Sequence, residues 1–165
     1  MYGGIWAFIE GRNDNPYYLA AKEKPNPLTD AFNESYFFKI AGNAKPSLST
    51  KALLATEQRI PGLGNGTLQD ILFNARINPK SKTASLSKAE LKGLYISIKK
   101  TLAKMTAQGG RDTERNLFGD NGGYKTILSN KTLKDPCPVC GGVIVRQAYL
   151  GGNVYYCPVC QPLKK

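Results

Sequence analysis

Two Cys-x-x-Cys pairs, Cys137-Pro-Val-Cys140 and Cys157-Pro-Val-Cys160, constrain this chain more than any other feature of it. They enclose sixteen residues, which is the spacing of a four-thiolate zinc site. Two cysteines three positions apart, turned by proline, put both sulfurs on one side of a tight knuckle. The run between the pairs alternates, Val143 to Tyr149 and then Val154 to Tyr156 across Leu150-Gly-Gly-Asn153, so it predicts a β-hairpin that brings the knuckles together. Four sulfurs closing a tetrahedron leave no open coordination position. One Zn²⁺ held by Cys137, Cys140, Cys157 and Cys160 is therefore expected to be structural and not hydrolytic.

The compartment agrees with metal ligation. The start, Met1-Tyr2-Gly3-Gly4, lacks the basic stretch and apolar segment of a signal peptide. No run approaches the roughly 18 apolar residues of a membrane span. The chain is thus expected in the cytoplasm, near the nucleoid, where paired cysteines serve metals more often than disulfides. It contains no histidine, which excludes mixed Cys/His ligation and every histidine-based triad or general base.

The formal charge of +11 is unevenly spread. Residues 1 to 46 carry five Lys/Arg and five Asp/Glu, while residues 47 to 165 carry eighteen against seven. Binding one Zn²⁺ through four thiolates lowers the total only to about +9. Such an excess concentrates polyanions and favours counterion release from a nucleic-acid backbone; a lysine-rich surface kept for solubility is the competing explanation.

Residues 1 to 10 read as a lone β-strand, and residues 11 to 28, with Asn13-Asp14-Asn15-Pro16 and Lys24-Pro25-Asn26-Pro27, as turn and linker. Helical patterning follows. Phe32, Tyr36, Phe37 and Ile40 recur behind a possible cap at Thr29, with a stop at Gly42-Asn43. Shorter helices are expected from about Ser49 to Glu57 and from about Asn65 to Ala75. Residues 88 to 108 form the clearest helix: Ser87 and Glu90 have capping-box spacing, and Leu91, Leu94, Tyr95, Ile98, Leu102 and Met105 make the buried stripe. Residues 109 to 135 are polar and weakly periodic, hence a long loop. Between two helices, Gly62-Leu-Gly64-Asn65-Gly66 forms a glycine turn whose amides could receive a phosphate, or which merely needs glycine to turn.

The run from Glu57 to Ala75, followed by Ile77-Asn-Pro79, resembles the helix-two-turn-helix signature of the formamidopyrimidine-DNA glycosylase and endonuclease VIII family. The terminal hairpin ending Tyr155-Tyr-Cys-Pro-Val-Cys-Gln161 resembles that family's zinc finger, and both motifs stand in the family's order. The expected fold class is mainly α. Residues 1 to 28 would be the last strand of an N-terminal β-sandwich plus linker, 29 to 135 the helix-two-turn-helix domain, 136 to 161 the zinc finger and 162 to 165 a tail.

The resemblance implies damaged-DNA binding within a base-excision glycosylase and abasic-site lyase, with Asn65 and the preceding amides on phosphates flanking a damaged or abasic nucleotide. It also implies that residues 109 to 124 correspond to the segment that folds over an everted base in some members. The candidate DNA contacts are Arg59, Gly62, Gly64, Asn65, Arg111, Tyr124, Arg146 and Asn153, in a monomer bound to duplex DNA.

Two departures accompany the resemblance. Family enzymes begin Pro-Glu, the proline amine attacking the sugar, whereas this chain begins Met1-Tyr2 and is expected to be inactive alone. The family's finger arginine, five positions before the third cysteine, is Gly152 here. A non-enzymatic zinc-ribbon regulator and a protein-interaction module stay open as alternatives.

Overall fold

The computed structural model describes residues 7–165. Most of the expected N-terminal strand lies outside the described residues, and residues 7 to 10 carry no strand. Five α-helices, one short 3-10 turn (Thr83–Ser85, between α4 and α5) and one hairpin follow: α1 (Pro16–Glu23), α2 (Glu34–Gly42), α3 (Thr50–Ala55), α4 (Asn65–Asn74), α5 (Lys88–Ala107), β1 (Val145–Tyr149) and β2 (Gly152–Tyr156).

Helix α1 corrects the expectation of a featureless linker over 11 to 28. Asn15 accepts hydrogen bonds from the amides of Tyr17 and Tyr18, and Pro16 sits at the first helical position. Asparagine and proline thus start a helix here and not a turn, because the same residues serve both structures. The cap of α2 is Asn33, not Thr29: its side chain accepts from the Tyr36 amide, while the Thr29 hydroxyl donates to the Asn26 carbonyl. The other boundaries agree with the sequence to within two residues. The capping box of α5 is complete, since the Ser87 hydroxyl accepts from the Glu90 amide and the Glu90 carboxylate accepts from the Ser87 amide.

Helix α4 lies at the centre, against α5 on one side and β2 on the other. Leu68, Ile71 and Leu72 of α4 meet Leu94 and Ile98 of α5, together with Phe32, Phe37, Leu53, Leu54 and Ile60. Burial of each such side chain contributes roughly 1.5–3 kcal/mol. Phe32 stacks on Tyr95 with centroids 6.1 Å apart, closing that core at the start of α2. A second, smaller core joins Phe73 of α4 to Leu128, Cys137, Ile144 and Cys157. The finger is thereby packed onto the helical part and not tethered beside it.

The expected long loop over 109 to 135 contains neither helix nor named strand, but it is held firmly at its neck. Tyr124 N donates to Gly110 O (2.9 Å), Asp112 N to Tyr124 O (2.9 Å) and Gly123 N to Gln108 O (2.8 Å). A Cβ at Gly122 would fall 2.2 Å from the Gly110 carbonyl, so this neck closes only with glycine there.

Candidate nucleic-acid interface and metal centre

The four cysteine sulfurs all lie within 4.8 Å of one another. Cys137 Sγ is 3.8 Å from Cys160 Sγ, and Cys140 Sγ is 3.5 Å from Cys157 Sγ. A zinc ion at about 2.3 Å from each sulfur requires tetrahedral edges of about 3.8 Å, whereas a disulfide requires about 2.05 Å. The arrangement fits a four-coordinate metal and not two disulfides. Each knuckle is shaped by its own backbone: Gly141 N donates to Cys137 O (2.8 Å), Cys137 N to Gly142 O (2.7 Å) and Gln161 N to Cys157 O (2.8 Å). Burial opposes ionisation of Cys137, but the amides of Cys140 and Val139 together with the sulfurs of Cys140 and Cys157 outweigh it and bring its thiol down to about 7. Burial and the neighbouring sulfurs push Cys160 up to about 12. Four thiolates so close together repel one another, and a divalent cation at their centre removes that cost.

The glycine turn leads into α4 in a way that distinguishes this helix. Helices α1, α2, α3 and α5 are capped by the side chains of Asn15, Asn33, Ser49 and Ser87. Helix α4 is capped by Gly64, which has no side chain to offer, and Asn65 is its first residue. Among the described residues the amides of Asn65, Gly66 and Thr67 find no acceptor. Gly62, with φ of +75°, makes the turn that precedes them. The end of a helix with three free amides carries a partial positive charge suited to an anion.

This end is joined directly to the finger. Asn65 Nδ2 and Gln69 Nε2 both donate to Asn153 O at 3.1 Å, and Gln69 Oε1 accepts from Tyr155 N at 3.1 Å. Gly152 eases the approach, since a Cβ there would stand 3.3 Å from Asn65 Nδ2 and press on that side chain. Lys51, buried on α3, donates to the carbonyls of Tyr149 and Leu150 at the hairpin tip, and burial lowers its pKa. On the far side Gln161 accepts from Cys157 N (3.0 Å) and donates to Ile77 O (2.8 Å), while Asn78 Nδ2 donates to Gln161 O (2.9 Å).

The remaining candidate contacts divide. Arg146 is exposed on β1, opposite Tyr155. The Arg59 guanidinium is spent inside the turn, on Ala52 O (3.2 Å), Thr56 Oγ1 (2.7 Å) and the Glu57 carboxylate (2.5 Å), so it shapes the turn and does not project from it. Tyr124 is buried, with its phenol beside the Asp70 carboxylate. Burial first, then that carboxylate, pushes the phenol well above its ordinary 10, so it anchors the loop and does not face a ligand. Arg111 is also buried, and it pairs with Glu114 beside Gly66.

Asp70, absent from the sequence-derived candidates, is the hub beneath them. Fully buried on α4, it accepts from Ile127 N (2.9 Å) and Leu128 N (2.8 Å), which fixes the loop to the helix. Burial raises its pKa despite those bonds. A charge interrupting the apolar run of α4 was the only sequence signal for it.

Asn65, Gly66, Gln69, Arg111, Lys131 and Tyr155 line a cleft of about 380 Å³ between α4, the loop and the hairpin. The loop tip beyond it is shaped by Asn116, whose Oδ1 accepts from Phe118 N and Asp120 N, both at 2.9 Å. That tip holds Leu117 and Phe118 98% and 89% exposed. No described helix is long and apolar enough to cross a membrane.

This geometry has known counterparts. The formamidopyrimidine-DNA glycosylase of Prochlorococcus marinus (strain MIT 9312) is 32% identical over 97% of this chain and 55% of its own length. Among solved structures, the MutM (Fpg) protein of Thermus thermophilus superposes with a TM-score of 0.80 at 29% identity, over 94% of this chain and 59% of that one. A Lactococcus lactis Fpg crystallised with DNA containing an abasic site gives a TM-score of 0.72 at 29% identity, over 88% of this chain and 53% of that one. The chain thus spans about half the length of the curated relatives it matches. The model of the formamidopyrimidine-DNA glycosylase H2TH domain matches residues 24–116, and the chain belongs to that family.

Proposed function

We propose that this chain is the DNA-holding part of a base-excision-repair glycosylase and abasic-site lyase, acting on duplex DNA that carries a damaged base or an abasic site. The observation that carries this reading is the uncapped end of α4, fixed to the finger through Asn65 and Asn153. A backbone phosphate accepts from the amides of Asn65, Gly66 and Thr67, replacing the missing cap. The hairpin continues the same surface and adds the charge of Arg146. The 109–124 loop lies beside it, with Leu117 and Phe118 available to stack on an unpaired base.

One structural Zn²⁺ in the four-cysteine site keeps the hairpin folded against α4, and the protein acts as a monomer. Relatives crystallised with abasic-site DNA and with formamidopyrimidine-containing DNA support this choice of partner. The cleft offers donors and positive charge, which serve holding and not bond cleavage.

Binding of an abasic-site duplex, followed by fluorescence anisotropy, should weaken steeply with ionic strength. Affinity indifferent to salt would count against the reading. Borohydride trapping on abasic DNA should give no covalent adduct with this chain alone; an adduct would show that it carries the lyase chemistry itself.

A further inference from the structure

We propose that Glu114 is a displaceable latch on this cleft: its carboxylate occupies the Arg111 guanidinium in the free protein and gives way to a DNA phosphate on binding. The proposal rests on the reading of the cleft as a DNA site. Arg111 lies over the first turn of α4, where a Cβ at Gly66 would fall 2.2 Å from its Nη2. Glycine at 66 therefore makes the notch that lets the guanidinium reach the helix end where the amides are free.

The pair is asymmetric. Arg111 Nη2 is 2.5 Å from Glu114 Oε1, and Arg111 Nε is 3.4 Å from Oε2, a two-pronged contact. Yet the arginine side chain is only 10% exposed and the glutamate 64%. The cation is fixed by its surroundings, while the anion can swing into water at little cost. Asp70, the other carboxylate near Arg111, cannot take this role because its oxygens hold the amides of Ile127 and Leu128.

A second observation indicates that the cleft awaits a further acceptor. The hydroxyl of Thr113, a residue that borders it, is buried without a hydrogen-bond partner. Phosphate presents the guanidinium with the same charge and fork geometry as carboxylate, so the exchange never leaves the buried cation unpaired. The latch lowers the cleft's positive potential until a polyanion displaces it.

The test measures affinity of the zinc-loaded full chain for an abasic-site duplex across a salt series, in wild type, E114Q, R111Q and E114Q/R111Q, with R111K as a second background if R111Q fails to fold. E114Q should bind several-fold tighter, with a log–log salt slope close to that of wild type, since Arg111 meets the phosphate in both. That gain should vanish with R111Q and shrink with R111K, which keeps the charge and loses the fork. Unchanged or weaker binding by E114Q, while wild type binds DNA, overturns the latch and leaves the DNA reading intact. A gain that persists undiminished in the R111Q or R111K background is generic charge removal and also overturns it. Absence of binding by both wild type and E114Q at low salt overturns the DNA reading and the latch together.

Discussion

The side-chain amide of Asn65 donates to the carbonyl oxygen of Asn153 across 3.1 Å, so the open end of α4 and the finger hairpin form one surface. Asn65→Ala removes that tie while Gln69 still holds Asn153. The expected result is a stability loss of about 1 kcal/mol by urea unfolding, with DNA affinity reduced by roughly tenfold. Unaltered affinity would separate this residue from the binding surface.

Thr67 stands in the first turn of α4, beside the free amides. Thr67→Asp puts a carboxylate where the phosphate is proposed to sit. The negative charge should stabilise the helix end by about 0.3–1 kcal/mol and at the same time weaken DNA binding. Thermal melting and anisotropy should therefore move in opposite directions; parallel movement would contradict the assignment.

Tyr124 should remain protonated in alkaline solution while exposed tyrosines ionise, because its phenol is buried against Asp70. A folded-state pKa raised above the unfolded value means that this group's stabilising contribution is complete below pH 10 and is lost as pH rises beyond it. Absorbance at 295 nm should show a late-titrating tyrosine in the folded wild type that disappears on denaturation. In Tyr124→Phe that late-titrating group should be missing.

Removing the metal should release more than the hairpin. Gln69 bonds to Tyr155, Lys51 to the hairpin tip and Asn78 to Gln161, so all three ties depend on the finger's shape. Chelation should liberate one zinc per chain, abolish DNA binding and lower the melting temperature of the remaining helical part. Cys157→Ser should do the same. A finger fold and melting temperature unaltered by chelation would mean that the cysteines do not hold a structural ion.

What could be read from the sequence was whatever acts over a short span. The cysteine spacing, the Ser87–Glu90 capping box, the apolar stripe of α5 and the glycine turn each have partners within a few residues or a fixed period. Helix α1 was hidden because Asn15 and Pro16 suit a turn and a helix start equally well. Gln69, Asp70 and Gln161 were missed for a different reason. Their long-range partners are backbone groups 57 to 86 residues away, and nothing local marks such a bond. Arg111 and Tyr124 stand among the sequence candidates, but no local signal reveals that a glycine notch and a buried aspartate lie against them.

The most direct measurement is amide NMR of the zinc-loaded chain titrated with an abasic-site duplex. The N–H resonances of Asn65, Gly66 and Thr67 should shift together along one binding curve and return as salt is raised. Shifts confined to other surfaces, with these three amides unmoved at saturation, would contradict the proposal that the open end of α4 holds DNA.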